Sequence, residues 1–283
     1  MLSPANPDTP PPRPELAGHG AVCAGPSLAR IGWIGFHTIV IREYSRIVRI
    51  WGQTLVPSAV NAVLYFVIFG GLIGRRVGII GGFSYMQFLA PGMIMMWLIN
   101  NAYANTVSSF FGAKFGKHIE ELLVSPLSNW IIVLGYACGG VIRGLLVALV
   151  VTAVSLFFAR LPVEHPLAII VAALLTSTAF SLAGLINAIF ARNFDQVNLV
   201  PLFVLTPLTY FGGVFYSVSM LPGWAQKVSL ANPILYMVNA FRYGFLGVSD
   251  INVSAAFGLM AGLAVGLFIL CLMLLHYGVG VRD

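Results

Sequence analysis

The stretch WIIVLGYACGGVIRGLLVALVVTAVSLFF, residues 130–158, carries a single charge, Arg143. A helix crosses the hydrocarbon core of a bilayer with about 20 largely apolar residues, and this run exceeds that length. Outward from it, the stretches 55–74, 84–110, 166–190, 197–216 and 255–277 have the same character. The whole chain agrees with them. Of 283 residues, 59% are hydrophobic and 8% charged, against about 25% charged in soluble domains, and the mean hydropathy is +0.91. So little polar surface does not clothe a globule in water, and a water-soluble enzyme is excluded. The expected fold is an all-α membrane protein with six transmembrane helices. Segment 228–247 is a poorer span, because Asn232, Pro233, Asn239 and Arg242 would all be drawn into lipid.

Fifteen Lys and Arg against nine Asp and Glu give a net charge of +6. They stand singly between apolar runs rather than clustered on a polar face, so no nucleic-acid partner is expected. Their bias sets the direction of the spans. With both ends inside, the cytoplasmic segments hold Arg13, Arg30, Arg42, Arg46, Arg49, Lys114, Lys117, Arg192 and Arg282. The outer segments hold Arg75, Arg76, Arg160, Lys227 and Arg242. Residues 1–27, with seven prolines, are expected to be a separate disordered cytoplasmic tail, without the basic start and apolar run of a signal peptide. Cys23, Cys138 and Cys271 suggest neither a disulfide framework nor zinc. The histidines are scattered, and no metal site is expected.

Function must then be read from polar islands. In residues 30–54, Arg42, Arg46, Arg49 and Gln53 share one helical face, while Trp33, Phe36, Val40, Tyr44, Ile47 and Trp51 share another. This spacing describes a basic amphipathic helix lying in the headgroup plane, either as an anchor or as a platform for a cytoplasmic partner. The second island, AKFGKHIEELLVSPLSN at 113–129, is expected either as an ordinary solvated connection or as a short helix with Glu120 and Glu121 exposed beside Leu122 and Leu123, stopped at Ser125 and Pro126. Gly112 to Lys117 is no phosphate loop: three residues separate the glycines instead of four, and His118 stands where Ser or Thr would hold magnesium. The third island, 212–247, is broken by Gly212, Gly213, Pro222 and Pro233 into aromatic-rich pieces. These read as short re-entrant or interfacial helices between spans five and six. Inside the spans, Arg143 must face protein, water or an anion. Asn101, Asn105 and Ser108 form a polar stripe, Pro201 and Pro207 loosen span five, and glycines at 135, 139, 140, 144, 258, 262 and 266 permit close packing.

The basic entry helix, IEELLVSPLS, LTPLTYFGGVFYSVSMLP and NPILYMVNAFRYGFLG, in that order, resemble the ABC-2 type permeases of ATP-binding-cassette exporters. The likeness is strongest to the YadH-type inner-membrane subgroup and runs from about residue 28 to the C-terminus. It implies one permease domain over 28–283, pairing with itself and with two copies of a separate ATP-binding subunit. ATP and Mg would sit on that subunit, and no cofactor on this chain. Residues 117–126, with Lys117, Glu120, Glu121, Leu122, Leu123, Ser125 and Pro126, map onto the loop that couples to the ATPase. Arg42, Arg46 and Arg49 map onto the entry helix. Gly212, Gly213, Tyr216, Pro222, Asn232, Pro233 and Arg242 map onto the segment that closes the exit, and Asn101, Asn105 and Arg143 are candidates for the pathway. The implied function is export of an amphiphilic, glycan-like or drug-like substrate from the bacterial inner membrane, with membrane lipids as further partners. A passive channel or secondary transporter is the alternative, although no internal repeat supports it. An intramembrane transferase would need carboxylates or a metal in a cavity, and the six spans contain no Asp or Glu.

Overall fold

Small residues decide how closely the long helices of this chain approach one another. The structure, a computed structural model, describes residues 28–74, 78–119, 124–125 and 127–280. Among these the fold is helical apart from a small antiparallel hairpin, in which Ile79–Ile80 pairs with Phe83–Ser84. The helices are α1 (Leu28–Arg49), α2 (Trp51–Tyr65, continued by a π-helical segment Phe66–Ile73), α3 (Tyr85–Phe115), α4 (Asn129–Phe158) and α5 (Pro166–Phe190). They are followed by α6 (Phe194–Val200), a π-helical segment Pro201–Leu205, α7 (Thr206–Tyr210), α8 (Gly223–Leu230), α9 (Pro233–Leu246) and α10 (Val253–Tyr277). Four described helices are long and apolar enough to cross a membrane: Trp51–Gly70, Asn129–Phe158, Pro166–Phe190 and Val253–Tyr277. The proline-rich tail lies outside the described residues.

The ends of these helices follow from local chemistry. Ser84 caps α3 in a capping box, its backbone N–H donating to Gln87 Oε1 at 3.1 Å. Gln87 Nε2 also donates to Arg160 O at 2.9 Å, tying the start of α3 to the α4–α5 connection. Asn232 caps α9 with Pro233 in its first turn, and Asn252 caps α10. Both helices stop at a left-handed glycine, Gly247 and Gly278.

The stretch expected as one span over 197–216 is helical from Phe194 to Tyr210 only, and its middle is wound wider. Pro201 has no N–H to give and crowds the preceding turn, and the Thr206 N–H reaches back five residues to Pro201 O. Pro207 removes a second donor. The helix then ends in a turn through Gly213, whose φ is +69°.

α3 is the hub, packed most extensively against α4 and α5. A Cβ at Gly140 would collide with Ser181 of α5 and Thr106 of α3 and lie 2.8 Å from Ala102 O. At Gly144 a Cβ would lie 2.9 Å from the Ala102 methyl, and at Gly184 2.6 Å from Tyr103 O. Gly135 and Gly139 face α1 instead, with Ile39 Cγ2 at 2.6 Å and Glu43 Cγ at 2.8 Å from the added atom. At Gly258, Gly262 and Gly266 a Cβ would meet nothing.

These contacts separate two otherwise similar glycine runs. Gly140→Ala should destabilise the detergent-purified protein by about 1–3 kcal/mol, the usual cost of overpacking. Gly262→Ala should leave it unchanged or slightly firmer. Thermal unfolding of the two variants beside the unmodified protein checks this, and equal midpoints would refute the assignment.

Candidate functional site

α1 packs on the bundle by a row that, apart from Ile47, belongs to neither of the two faces read from spacing. Gly32, Ile39, Glu43 and Ile47 are its buried residues, whereas Trp33, Tyr44 and Trp51 remain exposed. α1 therefore runs alongside the first turns of α4, in the same direction, with its glycine-matched face inward. α2 continues the contact as far as Phe66, stacked on Phe158 at 5.4 Å.

This seat holds a polar knot. Glu43 is 1% exposed. Arg46 Nη2 donates to Glu43 Oε2 at 2.8 Å, to Asn105 Oδ1 at 2.9 Å and to Asn105 O at 3.2 Å. Ser109 Oγ donates to Glu43 Oε1, and Arg46 Nη1 reaches Ser108 Oγ at 3.2 Å. Arg42 Nη2 donates to Tyr136 Oη at 3.3 Å. Two of the three arginines expected to face lipid headgroups thus bond into the protein, Arg46 to a buried carboxylate and a side-chain amide and Arg42 to a tyrosine hydroxyl, which satisfy donors that lipid hydrocarbon leaves bare. Arg49 is exposed. Arginine spacing alone did not reveal Glu43. The signal was its place in the Ile39–Glu43–Ile47 row, matched by Gly135 and Gly139.

The outer stripe of α3 differs from the one read in sequence. Asn101 and Asn105 are buried, and Asn101 Nδ2 donates to its own helix at Trp97 O, 3.0 Å away. Ala104 and Ser108 are exposed, and Asn100 is half-buried. Asn100 lines a cavity of about 310 Å³ with Tyr65, Met96, Trp97, Thr206, Thr209 and Tyr210, between α2, α3 and α7. The Trp97 indole N–H is buried there without a hydrogen-bond partner. The cavity offers aromatic faces, hydroxyls and an amide but no charge.

At the bundle end formed by the starts of α3, α5 and α10, the expected exit segment is tied down. Gly212 packs against Ile234, and Gly213 O accepts from Arg242 Nη2 at 2.8 Å. Tyr216 Oη donates to Tyr210 O at 3.0 Å, and Asn232 Nδ2 donates to Leu208 O. Pro222 occupies the cap position of α8 and Pro233 the first turn of α9. Arg242 is 1% exposed and lies 3.7 Å over the Phe88 ring. Asp250, not singled out in the sequence, accepts from Ser217 Oγ at 2.8 Å and from Val218 N at 3.2 Å.

At the opposite end α3 stops at Gly116, and Lys117 turns the chain with φ +58°. Lys117 is exposed, and Val124 beyond it is 88% exposed. Ser125 is half-buried. Glu120, Glu121, Leu122, Leu123 and Pro126 lie outside the described residues. The exposed rings of Phe115 and Phe194 meet beside this loop at 5.1 Å.

Four described helices long and apolar enough to cross a membrane, packed around a polar seam, mark a multi-pass membrane protein. A model of the family described as ABC-2 type transporter matches residues 35–246, and the chain belongs to that family. It is 52% identical over 251 residues to the inner membrane transport permease YadH of Escherichia coli (strain K12), covering 89% of this chain and 98% of that protein. Nodulation protein J of Rhizobium leguminosarum bv. viciae is 26% identical over 211 residues, covering 73% of this chain and 80% of that protein. The chain is therefore a membrane component of an ATP-binding-cassette transporter, and such a component works with an ATP-binding subunit.

The knot is the test of how α1 is held. Removing one partner of a buried ion pair costs about 3–5 kcal/mol, so Glu43→Ala should lower the unfolding midpoint far more than Arg49→Ala at the exposed position. Matching midpoints would mean that α1 is held by apolar packing alone.

Proposed function

We propose that the chain is the transmembrane half of an ATP-driven exporter in the bacterial inner membrane, working as two identical copies with two copies of an ATP-binding subunit. ATP and Mg are held on that subunit. In this reading α3 and the α6–α7 run cross the bilayer together with the four helices that length and composition already mark as spans, giving six crossings. The N- and C-termini face the cytoplasm, and α8 and α9 dip back into the outer half of the bundle. The relative named as an inner membrane transport permease supports the location, and the Lys and Arg bias supports the direction.

The observation that carries the pathway is the cavity between α2, α3 and α7. It is uncharged, rich in aromatic rings and hydroxyls, and continuous in sequence with the exposed turn at Ala104 and Ser108. A single copy leaves that stripe uncovered, and a second copy facing it would enclose a path between them. An amphiphilic substrate, glycan-like or drug-like, fits such a lining. Its polar part meets Asn100, Thr206 and Thr209 while its apolar part stays in lipid. The glycine turn at Gly213 and the bonds of Tyr216, Asn232 and Arg242 give the exit side a closed resting form.

Force from the ATPase enters through residues 117–126. Leu122 and Leu123 seat in a groove of the partner, and Glu120 and Glu121 pair with basic residues at its rim. Exposed ion pairs are worth about 0–1 kcal/mol, whereas burying a leucine is worth about 1.5–3 kcal/mol. Leu122→Ala combined with Leu123→Ala should therefore release the ATP-binding subunit and abolish substrate-stimulated hydrolysis, with Glu120→Gln only mildly affected. Co-purification and ATPase activity of membrane-inserted variants check this. Full partner binding in the double-leucine variant would make the loop a passive connection. Activity of a single copy without any ATPase would overturn the exporter reading.

A further inference from the structure

Arg143 stands halfway along α4, in a helix of otherwise apolar composition. Its neighbours follow from the packing register. Ile39 meets Gly135 and Glu43 meets Gly139, so the next turn of α4 brings Arg143 beside Arg46 and Ile47, where α1 passes into α2. The two guanidinium groups are held unequally. Arg46 is bonded by Glu43, Asn105 and Ser108, although its Nε is buried without a partner. Arg143 also has a buried Nε without a partner, and among the described residues nothing bonds to it.

Among the described residues the seam therefore carries Arg42, Arg46 and Arg143 against one carboxylate, Glu43, which Arg46, Ser109 and Asn105 already occupy. A cation at bilayer depth requires an anion or water, and this protein supplies Arg143 with neither a carboxylate nor a carbonyl among the described residues. The seam is open on one side, since Arg143 is half-buried and the Arg46 side chain is 29% exposed.

We propose that Arg143 and Arg46 form a binding site for the oxyanion head group, phosphate or carboxylate, of an anionic amphiphile. Guanidinium donors match such oxygens in geometry and charge, and the exposed Ser108 hydroxyl already bonds Arg46 at the open side of the seam. The inference rests on the exporter reading and deepens it by assigning the cargo a negatively charged head. Phosphate esters of membrane lipids share this chemistry, as does free phosphate, and the test separates the sources.

The full-length protein in neutral maltoside detergent is titrated with phosphatidylglycerol, phosphatidylcholine or inorganic phosphate, and its unfolding midpoint is read. Phosphatidylglycerol should raise the midpoint several degrees above phosphatidylcholine. Arg143→Gln should lose at least half of that increment, Arg143→Lys less, and Arg49→Gln none. Protection by inorganic phosphate as well would support the oxyanion site and assign it to the head group alone. Phosphatidylglycerol without a phosphate effect would support it and assign it to the whole amphiphile. In phosphatidylcholine, Arg143→Gln should unfold at or above the unmodified midpoint, because no protein bond is lost. Equal increments in the unmodified protein and Arg143→Gln would overturn the proposal. So would a lower Arg143→Gln midpoint without anionic lipid, since a carboxylate of the chain itself would then fill the site. Co-purification of the ATP-binding subunit is measured in parallel. Its loss from the unmodified protein would defeat the exporter reading alone, while a missing lipid effect with the subunit retained would defeat this site alone.

Discussion

Helices already surrounded by lipid gain little by hiding apolar side chains from one another, and how near their backbones come decides whether they associate. In this protein that nearness is set on α3. Gly140 and Gly144 let α4 lie against the Ala102 turn, and Gly184 lets α5 lie against Tyr103 O. Further along, Gly92 admits the backbone of Val214, with its O 2.6 Å from where a Cβ would stand. Every other element is placed through this core. α1 rests on the free face of α4, α9 on α5, and the 211–217 turn on the start of α3.

Polar groups are tolerated in such a bundle only where something answers them, and the three internal arginines are answered differently. Arg46 meets a carboxylate, an amide and a hydroxyl. Arg242 meets an aromatic face and a carbonyl freed by a glycine turn. Arg143 meets no bonding partner among the described residues. The first two fasten helices, whereas the third leaves binding capacity unspent. Its difference from the others lies in its surroundings rather than in its residue type.

How much of this was legible in the sequence depended on the kind of information required. The apolar helices were legible because length and composition suffice: 130–158, 166–190 and 255–277 differ by at most a few residues from the helices observed. The break in 197–216 was half legible. Pro201 and Pro207 announced a weakened helix, but not that it would widen into a π-helical turn and stop at Tyr210. Periodicity grouped Asn101, Asn105 and Ser108 correctly as near neighbours on α3, yet it carries no sign for inward or outward, so Asn100 was overlooked as a cavity residue. The same blindness hid Glu43 behind the arginines on either side of it. Which face of α1 is buried depends on Gly135 and Gly139, nearly a hundred residues away, and no local pattern contains that.

The seat of α1 also sets a schedule for making the protein. When Glu43 and Arg46 leave the ribosome, Asn105, Ser109 and Gly139 do not yet exist, and at about 5–20 residues per second the wait for Gly139 is roughly 5–20 s. Spaced three residues apart on one helix, Glu43 and Arg46 neutralise each other before any other helix arrives. The pair can thus close within α1 alone, whereas the bonds to Asn105 and Ser109 wait for α3 to be made.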